Sequence, residues 1–374
     1  MRWTMLAPGQ KFNHHLLVIA RESRGYTQAD LSTLSSIAQG TVSKYETGAA
    51  DPPEGFVEEI AKVLDYPTGF FYEPGRPYGF PPFHYRRRKK LSMKVLGRIV
   101  AQMNIRRMHI QKMCVSFDIR SVASGRIPEI DPHEYVRGVK GPPSVEDIAR
   151  NLRELWMLPR GPIPNMVDLL ESSGGIVIHC DFGSDLIDAM SQRIDGMPIL
   201  FFVNTNAPAD RVRHTLAHEL GHMVLHTTTL HDDDVMEDEA DAFAGALLLP
   251  REEFKAQLRR FDLRQLANMK QFWKVSMASM AVRASRLNLI TPYQSKTFWM
   301  EMGKLGYRMR EPHEPSPEHG SLLRRMVKYH TDKLGYSTDD MCKLLNLNKK
   351  DYVLMYGDAV VGSQKQGPRL QLVK

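Results

Sequence analysis

The chain has 374 residues, 42% hydrophobic and 25% charged, enough for two or three domains with separate cores. It holds no run of about 18 apolar residues, so no membrane-spanning helix is expected, and its first residues lack the apolar centre of a secretory signal. Cys114, Cys180 and Cys342 are odd in number and far apart, which argues against a disulfide framework or a thiolate metal site and for a reduced, cytoplasmic setting.

The net charge of +7 is unevenly placed. Between Glu73 and Asp118 there is no acidic residue, yet that stretch holds Arg76, Arg86, Arg87, Arg88, Lys89, Lys90, Lys94, Arg98, Arg106, Arg107 and Lys112. His231 to Asp241 is the opposite, with carboxylates at 232, 233, 234, 237, 238, 239 and 241. A localised basic block points to phosphate partners more than to general solubility. No repeat of solenoid period is visible.

In chain order, Leu16, Leu17, Ile19 and Ala20 set a helical stripe that Gly25 ends. Thr27 caps a second helix, with Asp30 three residues on, and a third runs from about Gln39 to Thr47 and stops at Gly48. Phe56, Val57, Ile60, Ala61 and Leu64 give the inner face of a fourth; Pro67 and Pro74 to Pro82 mark a boundary. Leu91, Val95, Ile99 and Met103 predict an amphipathic basic helix. After Gly141-Pro-Pro a helix begins near Ser144; residues 174–180 and 197–204 read as strands; Asp210 opens a long helix through His226, and another spans about Glu237 to Leu249. Residues 262–355 return to helical patterning. The expected fold is multidomain: an all-α domain at 1–75, a basic linker or helical arm at 76–140, an α+β domain at 141–260 and an all-α module at 261–374.

The long helix contains His218-Glu219-Leu-Gly-His222. Residues four apart share a helical face, so His218 and His222 can each offer a nitrogen to one Zn2+ ion. Glu219 lies about 100° round the helix and suits a general base acting on water. On the following helix Glu237 and Asp241 also share a face: Glu237 is the expected third ligand, and Asp241 would accept the outer N–H of a ligand histidine. Glu239 is the competing ligand on spacing, while His214, His226 and His231 read as structural or surface histidines. Two imidazoles and one carboxylate leave a fourth position open, as catalytic rather than structural zinc sites do.

Two resemblances follow. Arg213-His-Thr-Leu-Ala-His-Glu-Leu-Gly-His222 with the later Glu237-x-x-Ala-Asp241-x-Phe-Ala-x-x-Leu-Leu-x-Pro250 resembles the ImmA/IrrE metallopeptidases, over roughly 145–260. Asp241 departs from the asparagine more usual in that family. Residues 14–73, with Ala20-Arg-Glu-Ser-Arg-Gly-Tyr-Thr-Gln-Ala-Asp-Leu31 and Gln39-Gly-Thr-Val-Ser-Lys-Tyr-Glu-Thr-Gly48, resemble Xre/Cro-type helix-turn-helix domains. The pair implies a helix-turn-helix domain at 1–75 and a zincin-like fold at 141–260, in a bacterial or phage regulator that binds DNA and cleaves a helix-turn-helix repressor or antitoxin-like protein. The alternative is a DNA-binding regulator whose zinc domain is a non-proteolytic sensor.

In such a domain the second helix of the motif enters the major groove of double-stranded DNA and its first residues meet base edges. Here it offers Gln39, Thr41, Ser43 and Lys44, with Gln28 placed for a phosphate. Val42 and Tyr45 read as core, and Glu46 as a brace pairing with Arg21. Arg86, Arg87, Arg88, Lys89 and Lys90 form the expected phosphate-contacting arm. Paired half-sites make a homodimer compatible with the sequence, though no residue demands one.

Overall fold

Short apolar stripes and tight caps build the first helices in a computed structural model that describes residues 11–53, 55–79, 91–119, 125–130, 143–226 and 232–360. They are α1 (His14–Ser23), α2 (Gln28–Ser35), α3 (Gln39–Thr47) and α4 (Phe56–Leu64), followed by a 3-10 turn at Thr68–Tyr72. Leu17, Leu31, Val42, Leu64 and Phe71 are fully buried between them. The cap read from Thr27 is a reciprocal box, in which Thr27 Oγ1 accepts from the Asp30 amide and Asp30 accepts from the Thr27 amide.

Next comes α5 (Met93–Cys114). Its sequence suggests an arm, but it is a core helix: Ile99, Ala101, Ile105, Ile110 and Met113 are fully buried, it packs along α1, and Asn104 is 1% exposed. Its charge hides that role, because Arg and Lys stems can run along apolar surface while their heads reach water.

The chain divides into two compact units: one formed by the stretch up to Gly79, Met93–Asp118 and the segment from Ser321 onward, the other chiefly by Ile119–Gly320. In the second unit, α6 (Val145–Leu155) and α7 (Met166–Ser172) lead into β1 (Gly175–Cys180), β2 (Ala189–Gln192) and β3 (Ile199–Asn204). The sheet order is β1-β3-β2, with β1 parallel and β2 antiparallel to β3. Every β3 side chain is buried, as expected for a central strand covered on both faces. Two helices then carry the candidate site: α8 (Ala209–Leu225) and α9 (Asp233–Leu248). They pack on one another and, with α10 (Arg251–Gln257), α11 (Leu263–Trp273), α12 (Met277–Arg286) and α13 (Pro292–Lys304), share one apolar core around Leu216, Leu220, Phe243, Leu247, Trp273 and Met280.

The last described elements, α14 (Leu322–Lys328), a π turn at Tyr329–Lys333, α15 (Thr338–Leu345) and α16 (Lys349–Val360), belong to the first unit. The stretch 261–374, expected as one helical module, is therefore split near residue 320 between the two units. A proline-rich segment, Glu311-Pro-His-Glu-Pro-Ser-Pro-Glu318, runs up to the division. No helix among the described residues is long and apolar enough to cross a membrane.

Candidate metal centre and nucleic-acid face

Leu216, Ala217, Leu220, Met223 and Val224, all fully buried, fix the rotation of α8 and so the face that carries its histidines. Gly221 sets how closely α9 crosses. A Cβ there would lie 3.1 Å from a Phe243 ring carbon and 3.2 Å from Ala240 Cα, so only glycine permits this approach without a shift. Close crossing brings the start of α9 to the histidines.

His218 Nε2 and His222 Nε2 face each other at 3.0 Å, and the Glu237 carboxylate lies 3.7 Å from the first and 3.5 Å from the second. Atoms held tetrahedrally at roughly 2.0–2.2 Å from a common zinc ion are about 3.3–3.6 Å apart. The observed triangle, 3.0 to 3.7 Å on a side, brackets that spacing, and among the described residues it is the cluster of three such donors that could hold a metal ion.

The outer contacts explain the facing nitrogens. His218 Nδ1 lies 2.7 Å from Asp241 Oδ1, so Nδ1 carries the proton and Nε2 is left with its lone pair. Burial pushes the Asp241 carboxyl up, but the hydrogen bond from His218 and the nearby Arg286 charge outweigh it and hold it below the usual carboxylate range. On the other side His222 Nδ1 donates to His226 Nδ1 at 3.0 Å, and His226 Nε2 donates to Glu239 Oε2 at 3.0 Å. That chain of tautomers also leaves His222 Nε2 as an acceptor. Two acceptor nitrogens 3.0 Å apart with a carboxylate beside them repel one another unless a cation joins them.

Glu219 is fully buried on the neighbouring face of α8, where its Oε2 accepts a 2.6 Å hydrogen bond from Ser191 Oγ of β2. Ser191, His226 and the place of Glu239 are not visible in the sequence. Glu239 contacts His226 and lies outside the triad, and His226, read as structural or surface, is 1% exposed against a triad member. The i, i+4 spacing of His222 and His226 was the available signal.

On α3, Gln39, Gly40 and Lys44 are exposed and Thr41 and Ser43 half-buried, whereas Val42 is fully buried. Tyr45 is half-buried with its ring 4.5 Å from that of Phe56. Glu46 takes Arg21 in a buried pair, Nε to Oε1 at 2.5 Å, and its other oxygen accepts from Gln28 Nε2 at 2.7 Å. The Gln28 amide nitrogen is thus engaged inside the domain. Arg86, Arg87, Arg88, Lys89 and Lys90 lie outside the described residues.

Comparison with known families now adds to the geometry. Residues 17–71 match the helix-turn-helix family, and residues 171–285 match a peptidase family described as the IrrE N-terminal-like domain. The chain joins a helix-turn-helix domain to an IrrE-like domain, in that order. No curated protein matches the chain significantly. The IrrE-like match spans β1 to α12 and so contains the whole His218–His222–Glu237 cluster and its outer contacts.

The IrrE-like domain receives further support from beyond the matched stretch. Glu311 accepts from the Met277 and Ala278 amides at the start of α12, at 2.7 and 2.9 Å, and from Lys270. Glu314 accepts from the Ala209 amide at the start of α8, at 3.2 Å. Glu318 accepts from the Met166 amide at the start of α7, at 2.8 Å, and pairs with buried Arg213. Three glutamates of one proline-rich strap thus sit at three helix N-termini, where unpaired amides and the helix dipole favour negative charge.

Proposed function

We propose that this chain is a DNA-binding regulator whose IrrE-like domain is a zinc-dependent endopeptidase acting on a repressor or antitoxin-like protein. The observation that carries the reading is the triangle of His218 Nε2, His222 Nε2 and the Glu237 carboxylate, beside a buried glutamate that is not part of it. His218, His222 and Glu237 would hold the ion. Zinc bound by three protein donors supplies Lewis-acid polarisation of a peptide carbonyl and a water of lowered pKa.

The chain's own residues do the rest. Glu219 takes the proton of the attacking water and delivers it to the leaving amine, so one carboxylate serves as base and then acid. Ser191 holds one oxygen of Glu219 and so fixes the orientation of the carboxylate. Asp241 and the His226–Glu239 pair keep the ligand histidines in the tautomer that presents Nε2. β2, which carries Ser191, is an edge strand, and an extended peptide can lie along such an edge.

In the helix-turn-helix domain, α3 would read the major groove through Gln39, Thr41, Ser43 and Lys44, on a base fixed by the Arg21–Glu46 pair. The basic block Arg86 to Lys90 would add phosphate contacts, and Gln28, with one Nε2 hydrogen given to Glu46, would have the second for a phosphate at the start of α2.

The test is zinc content and cleavage of candidate helix-turn-helix proteins by the wild type and Glu219→Gln. Zinc retained and cleavage lost in the variant is the expected pair. Cleavage retained would remove the base assignment; zinc and operator binding without cleavage of any partner would favour the sensor reading.

A further inference from the structure

The segment after Ser321 is a second copy of the helix-turn-helix architecture, outside both matched stretches. The correspondence runs at one constant spacing without a gap. Gly25-Tyr-Thr-Gln-Ala-Asp-Leu31 aligns with Gly335-Tyr-Ser-Thr-Asp-Asp-Met341. Gly25 and Gly335 share the left-handed conformation, φ +71° and +73°. Thr27 with Asp30 and Ser337 with Asp340 form the same reciprocal capping box, which opens α2 and α15, each eight residues long. Both helices end on a left-handed residue, Ser36 at φ 55° and Asn346 at φ 50°. After two more residues α3 begins at Gln39 and α16 at Lys349. The core positions follow: Leu17 and Val327, Ala20 and His330, Leu31 and Met341, Val42 and Tyr352, Glu46 and Tyr356 are all buried.

The chemistry of the two reading helices differs. Where α3 exposes Lys44, α16 exposes Leu354, 81% accessible; Ser43 corresponds to Val353, 53% accessible. Neither can bond a base edge or a phosphate. Two positions at the start of α16 are already engaged, flanking the exposed Lys349 and Lys350. Asn348 Nδ2 donates to the Asp65 carbonyl and carboxylate just beyond α4, both at 2.7 Å. Asp351, at the position of Thr41, is buried and takes the Arg24 guanidinium from the end of α1 at 2.6 Å. Arg24 also donates to the Leu64 and Asp65 carbonyls, so it ties both helix ends to α16.

We infer that residues 322–357 are a divergent helix-turn-helix copy that docks its own reading helix on the first copy, leaving DNA to be read by α3 alone. The inference rests on the DNA-binding reading above only for its last clause.

Two measurements on the full-length chain test it. In the first, affinity and salt dependence are measured on a short duplex enriched by the chain from a randomised pool. Lys44→Glu weakens binding about tenfold or more, while Lys349→Glu with Lys350→Glu changes Kd less than about twofold and leaves the salt slope unchanged. A comparable loss from the second variant, with a slope shallower by about 0.9 per lysine, overturns the inference. In the second, amide hydrogen exchange is compared for wild type and Asn348→Ala with Asp351→Ala. Roughly tenfold faster exchange confined to the last turns of α1 and α4 is expected; unchanged protection there overturns the docking. If the wild type binds no duplex, the DNA-binding reading fails and the exchange result alone decides the docked copy.

Discussion

Glu237 and Glu239 compete on sequence for the third ligand position, and the structure gives them different work that zinc affinity can separate. Glu239 lies two hydrogen bonds from the ion site: its Oε2 accepts from His226 at 3.0 Å, and His226 accepts from His222 Nδ1 at 3.0 Å. Removing Glu239 keeps all three candidate ligands and loosens the tautomer and orientation of one. Outer partners of this kind are worth about 10–100-fold in metal affinity, or about 1.4–2.8 kcal/mol. Both histidines are at most 1% exposed, so water replaces the lost carboxylate poorly and the upper half of that range is expected. Glu237→Ala removes a donor 3.5–3.7 Å from both Nε2 atoms and should cost more than any outer change. The assay is competition for Zn2+ against a chromophoric chelator, with His226→Ala as a third variant that should match Glu239→Ala. Zinc lost with Glu239→Ala and retained with Glu237→Ala would reverse the assignment and refute the relay.

Three shorter expectations accompany it. Glu219→Gln should bind zinc within about twofold of wild type while cleavage falls about 10²–10⁴-fold, the usual contribution of a general acid–base group; equal loss of zinc and cleavage would make Glu219 a ligand. Gly221→Ala should destabilise the IrrE-like domain by about 1–3 kcal/mol, because the new Cβ meets Phe243 and Ala240 across the α8–α9 crossing; an unchanged melt would show that the crossing relaxes. His109, buried and bonded to Tyr356 Oη at 2.8 Å, is held well below its ordinary pKa by burial and by the Lys112 and Arg106 charges. Its folded value is depressed, so its contribution is present above the unfolded value near 6.5 and lost as pH falls below it, at up to about 1.4 kcal/mol per pH unit. Thermal melts between neutral and mildly acid pH should show that slope in wild type and a flatter one in His109→Gln.

The pattern of these sites shows what a sequence exposes. His218, His222, Glu237 and Asp241 were legible because each pair is an i, i+4 match on one helix, and the capping box of α2 because it closes within three residues. β1 and β3 were legible from their β-branched and aromatic runs. β2 was not: Ala189-Met-Ser-Gln has no β-branched residue and is extended by its pairing with β3. Ser191 could therefore not be placed beside Glu219. The His226–Glu239 contact depends on the closeness of two helices, which Gly221 permits and no local pattern announces. α5 was misjudged as an arm since its basic residues are counted by charge, while its burial depends on partners elsewhere in the chain. The second helix-turn-helix copy is written in the turn and caps of Gly335-Tyr-Ser-Thr-Asp-Asp340, but a repeat separated by most of the chain produces no periodic signal.

The proline-rich strap was the least legible element and has the widest mechanical reach. Glu311-Pro-His-Glu-Pro-Ser-Pro-Glu318 falls within the stretch 262–355 expected to be helical; in the structure it is not helical, and its glutamates cap α12, α8 and α7 and neutralise Lys270 and Arg213. Lys270 keeps Asp210 if the strap is lost, but Arg213, 2% exposed in its side chain, would retain only the Ile163 carbonyl. An orphaned buried charge of that kind costs about 3 kcal/mol or more, and each lost helix cap about 1 kcal/mol. Together these approach about 6 kcal/mol, comparable with the whole stability of many domains. Replacing Glu311, Glu314 and Glu318 by alanine in the full-length chain should therefore unfold the IrrE-like domain selectively, although none of the three is hydrogen-bonded to His218, His222 or Glu237. Three of the chain's four tryptophans, Trp156, Trp273 and Trp299, lie in this unit, so with Trp3 replaced by phenylalanine tryptophan fluorescence in a urea titration follows it. An unshifted midpoint with unchanged zinc affinity would mean that the strap only decorates a domain already complete at the end of α12. A collapsed midpoint would mean that helix α8, which carries His218 and His222, is held at its N-terminus by a segment lying wholly outside the matched peptidase stretch.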